Sequence, residues 1–415
     1  MSSGPLVLRR YADIRDALYN KHLSRSLDDR SFDEGNPRAG VLSTLHGAEH
    51  KDRRKLENPL FRRSALVEYE HELFPVAIDE IAARDAVGEL DLLGLAGSMA
   101  VVLATRRAGI DHDSSHRQLT ELFWHGVSLA QGASLADAVV DRSRVERETH
   151  ATLQALEDDY VGPSRRRREA LLDAAERGAS DEPLPHDLLT VALRSRRAGE
   201  LDLDDALLTR EVGLYLHGGS HTSAQTTCNA FEFLLGYDGV DRSALLHEAG
   251  SSLLTAQRIV HETLRVVPMT PKLKRRVIDD TVVAGTPVSA GETVVLDIRS
   301  GNRDPDFYGA DAESFDPHRT VADGASLWGL SFGAGAHICI GRSVAGGVPL
   351  QGGEHEDETP ASHLYGQVAR MVRAIARHGV EPDPARRPER DERTTRASSR
   401  WSRFPVRFPN TEHKE

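Results

Sequence analysis

Residues 331–342 read SFGAGAHICIGR. Glycines at 333, 335 and 341 let the backbone pass close to something flat or crowded. Cys339 sits within this loop, just before an expected helix start. A helix N-terminus lowers a thiol's pKa and tolerates a thiolate. Backbone N–H groups there can bond the sulfur and tune an iron centre. His337, two residues earlier, could meet a carboxylate at the edge of a cofactor. The same loop also suits a buried structural cysteine, and chemistry alone leaves both readings open. The only other cysteine is Cys228, which reads as a buried helix residue. Two cysteines exclude a zinc ribbon or a cysteine-ligated iron–sulfur cluster, and a disulfide framework is not expected.

Three further clusters could serve such a centre. Glu262 and Arg265 lie three apart in HETLR, on one helical face. They read either as a surface pair of little worth or, given Leu264, Val266 and Val267 around them, as a buried one. His50 and Arg54 are four apart in HKDRR, where flanking charges also suit a solvated basic helix. Gly218, Gly219, Ser220, His221, Thr222 and Ser223 interrupt an apolar helical run. A glycine pair is costly inside a helix unless something must approach closely.

These clusters need elements to hold them. The chain has 415 residues, 39% hydrophobic and 28% charged, which is a globular balance with room for a large cofactor. Helical patterns predict helices over 65–86, 90–109, 205–236, 242–266 and 363–379, with 116–200 mostly helical. Between 275 and 300, Val-rich runs separated by Gly turns predict a small sheet, and FPVRF at 404–408 a terminal strand. Residues 25–44, 301–337 and 381–402 read as loop. The whole reads as one domain over 1–415, mainly α with a minor β region. The net charge of −12 argues against nucleic acid, and no apolar run reaches the 18 residues of a membrane span. The opening MSSGPLVLRR shows no leader-like core, so cytoplasmic residence is expected.

Phe332, Gly333, Gly335, His337, Cys339 and Gly341 together resemble the haem-binding signature of the cytochrome P-450 family. The resemblance spans about residues 8–408, with its strongest part at 262–341. It implies a cytochrome P-450-like fold, haem b as cofactor and Cys339 as the thiolate ligand of the iron. Phe332 would then pack near the sulfur. Haem propionates would be held by His337, His50, Arg54 and Arg275, with Arg276 the alternative if the register slips. Glu262 and Arg265 match the family's buried pair, and Arg319, in FDPHR, its third member. NRDP at 302–305 is another family segment. Gly218 and Gly219 would lie over the oxygen-binding face, and Thr222 would supply the proton-relaying hydroxyl.

The resemblance implies a monooxygenase acting on a small hydrophobic molecule, in natural-product biosynthesis. Electrons would come from a ferredoxin and its reductase, since no flavin or nicotinamide fingerprint is present. Arg53, Arg54 and Arg342 are candidates for docking that partner, and the chain is expected to be a monomer. Val267, Pro268, Met269, Leu273, Leu214 and Leu216 are candidates for the pocket wall, with core packing the alternative. Two departures stand out. His221 replaces the usual acid; it could relay protons itself, or face a neighbouring helix and leave the relay to Thr222 or Ser223. The segment GGVPLQGGEHEDETP interrupts the helix after the cysteine, reads as a surface insertion near 347–361, and should end that helix at Pro349. Rival readings are a peroxide-using or bond-forming oxidase, and a non-catalytic haem sensor.

Overall fold

The computed structural model describes residues 4–25, 36–135, 139–179, 183–350, 363–393 and 400–409. Parts of three expected segments lie outside these: 26–35 of the first loop, 351–362 of the insertion and 394–399 of the tail. Helices dominate, as the periodicity predicts. The helix expected over 65–86 runs from Arg63 to Asp85, widened by two π turns, Tyr69–Leu73 and Pro75–Glu80. The second opens on Pro75, which has no N–H to give the regular ladder. Leu92–Ala108 is buried almost throughout. Asp91 caps its start through the Leu93 N–H, and Gly109, at φ 89°, ends it.

The central run divides into Asp205–Leu216 and Thr222–Leu234, joined by a π turn at His217–His221. The wide turn falls on the glycine pair. Three hydroxyls bond back to carbonyls four residues earlier: Ser220 to Leu216 (2.6 Å), Thr222 to Gly218 (2.7 Å) and Ser223 to Gly219 (2.8 Å). The glycine pair, the wide turn and the three back-bonding hydroxyls thus coincide at one irregular point of the helix. The helix expected over 242–266 is two, Ser243–Ser251 and Leu253–Val266. Ser252 takes extended backbone and accepts from Thr255 N (3.0 Å), so a serine cap outcompetes continuation.

Thr293–Asp297 pairs in parallel with Leu6–Leu8 and antiparallel with Lys272–Val277, which also carries Leu23–Ser24. Thr281–Val283 and Thr286–Val288 form a separate hairpin. The terminal strand is Pro405–Phe408, paired with Gly88–Asp91 and Glu381–Pro382. One core cluster fills the helical side, and a second fills the space around the four-stranded sheet. No helix among the described residues is long and apolar enough to cross a membrane.

The helix after the cysteine is only Arg342–Gly346. It ends at Gly347, with φ 76°, rather than at Pro349. The next helix starts at Gln367, later than expected, because Gly366 has φ 84°. A Cβ on either glycine would overlap backbone of the other's segment. Val348 N donates to Leu364 O (2.7 Å), and the Gln257 amide donates to the Gly346 and Val348 carbonyls (3.0 Å each). The two ends of the interruption therefore meet.

Candidate functional site

Glu262, Arg265 and Arg319 come together, and all are buried. Arg265 makes a forked pair with Glu262 (2.6 and 2.7 Å), and Arg319 Nε reaches Glu262 Oε1 (3.2 Å). The remaining guanidinium donors go to carbonyls of Asn302, Ala312, Ser314, Tyr308 and Asp311, and Arg319 also pairs with the exposed Asp311 carboxylate (2.7 Å). Two carboxylates thus face the two cations, the condition under which a buried ion cluster is tolerated. Asn302, from NRDP, carries the order onward. Its carbonyl oxygen accepts from Leu330 N (2.7 Å), and its amide donates to Arg265 O (3.1 Å) and Ser331 Oγ (2.9 Å). Ser331 Oγ donates to Leu264 O (2.6 Å). The cysteine loop is thereby tied to the ion cluster at its first residue.

Within the loop, Gly333 and Gly335 take φ of 70° and 67°. A Cβ on Gly335 would come within 2.5 Å of Leu18 O. Cys339 N donates to Phe332 O (2.8 Å), closing the loop. Phe332 packs edge-on against Trp328, which packs edge-on against His261, and His261 Nε2 bonds Gly346 O (2.8 Å). Cys339 is an exposed residue by surface area, lying deep among protein atoms and lining a cavity. Burial pushes the Cys339 thiol up; the Gly341 N–H and the Arg25, Arg54 and Arg342 cations oppose it.

The cavity measures about 320 Å³, counted as volume open to the centre of a water molecule. The central helix lines it with Leu214, Gly218, Gly219, Thr222 and Ser223, and a Cβ added to Gly218 would meet nothing within 4 Å. His50, Arg54, Arg275, Phe332, His337, Cys339 and Gly341 also line it, so these expected cofactor residues converge. Of the two adjacent arginines, Arg275 is buried and lines the cavity while Arg276 is exposed. The His50 and His337 rings lie 4.1 Å apart, tilted by 41°, and Arg54 donates to Ile338 O (3.0 Å). Burial draws His337 down to about 3, and His50, Arg25 and Arg275 add to it. Burial, then Arg54 and Arg25, draw His50 down to about 4. Both imidazoles are neutral at pH 7, and His337 Nδ1 is buried without a partner.

The helix carrying His50 and Arg54 is held by a second buried network. Tyr215 donates to Glu57 (2.8 Å), while Arg53 pairs with Glu211. This corrects one expectation: Arg53 is buried and cannot be a docking cation, because Glu211 of the central helix claims it.

His221 is also placed differently. It is buried but does not line the cavity, and its Nε2 lies 3.4 Å from Gln225, whose amide donates to Trp401 O. A proton relay from His221 into the cavity is therefore not what the geometry offers. The hydroxyls of Thr222 and Ser223 face it instead, and Gln367 donates to the latter. His221→Gln is expected to change turnover by no more than about twofold, measured as product formed per minute at saturating substrate. A fall of about tenfold would restore the relay to His221. Of the expected pocket wall, Leu214, Met269 and Leu273 line the cavity; Leu216, Val267 and Pro268 pack elsewhere. Cys228 is fully buried in Thr222–Leu234, as expected.

Arg25, Arg107, Tyr215 and Gln367 also line the cavity and were not expected there. Only Arg107 had a signal, a charged pair closing an otherwise apolar helix. Placing it needed the packing of that helix against the central one.

The family model described as Cytochrome P450 matches residues 2–346, ending where the helix after the cysteine ends. Nocardicin C N-oxygenase of Nocardia uniformis subsp. tsuyamanensis is 24% identical over 360 residues, covering 82% of this chain and 78% of its own. Erythromycin C-12 hydroxylase of Saccharopolyspora erythraea is 27% identical over 339 residues, covering 81% and 77%. The crystal structure of CalO2 superposes with a TM-score of 0.71 at 20% identity, covering 97% of this chain and 90% of that one. The fold therefore continues past residue 346, across the interruption.

Proposed function

The chain belongs to the cytochrome P450 family of haem-thiolate monooxygenases, and on that footing we propose how its own residues serve the reaction and what kind of substrate they take. The residues fit haem b. Gly218 leaves one wall open to a flat group, the cavity lining holds four arginines and no Asp or Glu, and His337 Nδ1 lacks a partner that a propionate would supply. Bound haem supplies reductive activation of dioxygen. Cys339 is the residue that would ligate its iron. His50, Arg54, Arg275 and His337 would hold its propionates, since buried carboxylates need such partners. Phe332, braced by Trp328, shields the sulfur from water.

Thr222 holds the proton position on the opposite wall. Its Oγ donates to Gly218 O, which leaves the hydroxyl oxygen able to accept from a water in the cavity. Thr222→Ala should divert reducing equivalents from product to hydrogen peroxide, several-fold in the ratio of peroxide to product. Unchanged coupling would remove this role. Leu214, Met269, Leu273 and Ile298 give the wall an apolar stretch that suits a small hydrophobic substrate. The relatives named for oxidising nocardicin C and erythromycin support a natural product.

The reaction depends on a redox partner. We assign that role to a ferredoxin with its reductase, because no flavin or nicotinamide motif is present. Arg342 is the docking candidate left on the cysteine side. We read the chain as one domain, acting as a monomer in the cytoplasm. The observation that carries the monooxygenase reading is that Cys339 and the central-helix residues Gly218, Gly219, Thr222 and Ser223 line one cavity. The absence of any acid among the described lining residues favours one second reading, peroxide-driven turnover. The two separate in one assay: product with ferredoxin, reductase and dioxygen, with catalase present, supports the first. Product only with added peroxide supports the second.

A further inference from the structure

Arg107 is a buried cation, only 6% exposed, whose guanidinium lines the cavity. Its Nε makes a long bond to Leu103 O (3.5 Å). Neither terminal nitrogen donates to a protein acceptor among the described residues. The rings of Phe61 and Tyr69 hold the group from the side, at 5.4 and 5.6 Å. Its Nη2 lies 3.6 Å from where a Cβ on Gly219 would stand, so the group sits in contact distance of the glycine turn. A buried charge left without a counter-charge is among the costlier features a fold can keep. The fork of terminal N–H groups suits a carboxylate, taken two-pronged.

Charge in the cavity points the same way. Arg25, Arg54, Arg107 and Arg275 line it, and among the described residues no Asp or Glu does. Haem b brings two carboxylates, and three of the arginines stand where those would go. Arg25 and Arg275 face His337, and Arg54 bonds the carbonyl beside it. Arg107 comes from a different element, Leu92–Ala108, with Tyr69, Tyr215 and Cys339 as its electrostatic neighbours. One guanidinium between aromatic rings matches a singly charged group better than a phosphate.

We propose that the substrate carries a carboxylate and that Arg107 binds it beside the glycine turn. This rests on the haem-monooxygenase reading above and narrows it to an apolar acid. Arg107 is a specificity-determining residue in this account.

The test needs no knowledge of the natural substrate. The purified haem-loaded protein is titrated with ω-imidazolyl carboxylic acids of increasing chain length, each against the neutral 1-alkylimidazole of matched length. Binding is read from the Soret shift as the imidazole ligates the iron. At one or more lengths the acid should bind about tenfold more tightly than its neutral partner. Arg107→Leu should erase that preference and leave the neutral affinity within about threefold. Arg107→Lys should restore part of it. A wild-type protein that binds the neutral compound as well at every length overturns the proposal without any variant. So does a preference that survives in Arg107→Leu, or an Arg107→Leu protein that loses haem while the wild type shows no preference. Absence of haem, or of any imidazole shift, is a different failure and counts against the family reading.

Discussion

Replacing Cys339 with serine is expected to leave a folded protein whose partner-driven turnover is lower by about a thousandfold or more. The fold should survive because the loop is closed by backbone, from Cys339 N to Phe332 O, and by the Asn302 and Ser331 bonds further back. None of these uses the sulfur, and a hydroxyl of similar shape would stand in its place. What is lost is electron donation from a thiolate, the lever by which this kind of ligand promotes O–O cleavage. Haem content, circular dichroism and turnover, measured together, separate the two effects. A serine variant with native-like turnover would mean that Cys339 is structural.

The second large effect is on stability. Glu262→Gln should cost about 3–5 kcal/mol, because it strands the buried Arg265 and leaves Arg319 with Asp311 alone, rather than breaking one surface pair. Arg265 is fully buried, and Arg319 and Glu262 nearly so. The glutamine can still accept one bond but cannot neutralise either guanidinium. Because Arg265 also holds Asn302 O and receives the Asn302 amide at its own carbonyl, the loosening should reach the cysteine loop. Urea unfolding of the haem-loaded protein, followed by both circular dichroism and loss of the Soret band, should show both transitions moved to lower denaturant. A change below about 1 kcal/mol would be that of an exposed pair and would contradict the cluster's role.

Much of the site was legible because its chemistry is local. The cysteine loop, the HETLR pair and NRDP are each confined to a few residues that resemble family motifs, and Arg319 came from the same resemblance through FDPHR. The glycine pair announced a break in a helix, although that it would become a π turn sealed by three hydroxyls depends on geometry a periodicity cannot express. What escaped notice depends on segments far apart in the chain. Arg53 looks solvated among HKDRR until Glu211, 158 residues away, is packed against it. Arg25 and Arg107 have no motif, since each matters only through where its element lies against the cavity. For His221 the motif left two readings open, and the geometry matches the one in which it turns from the cavity, lying beside Gln225. The helix expected from 242 split at Ser252 because one serine cap outweighs a continuous apolar pattern.

The most direct measurement is the absorption spectrum of the purified protein, reduced and exposed to carbon monoxide. Thiolate ligation by Cys339 predicts a strongly red-shifted Soret band, which Cys339→Ser should abolish. A correctly folded protein that is free of haem, or one that shows the shorter-wavelength band of histidine ligation, would contradict the account at its centre.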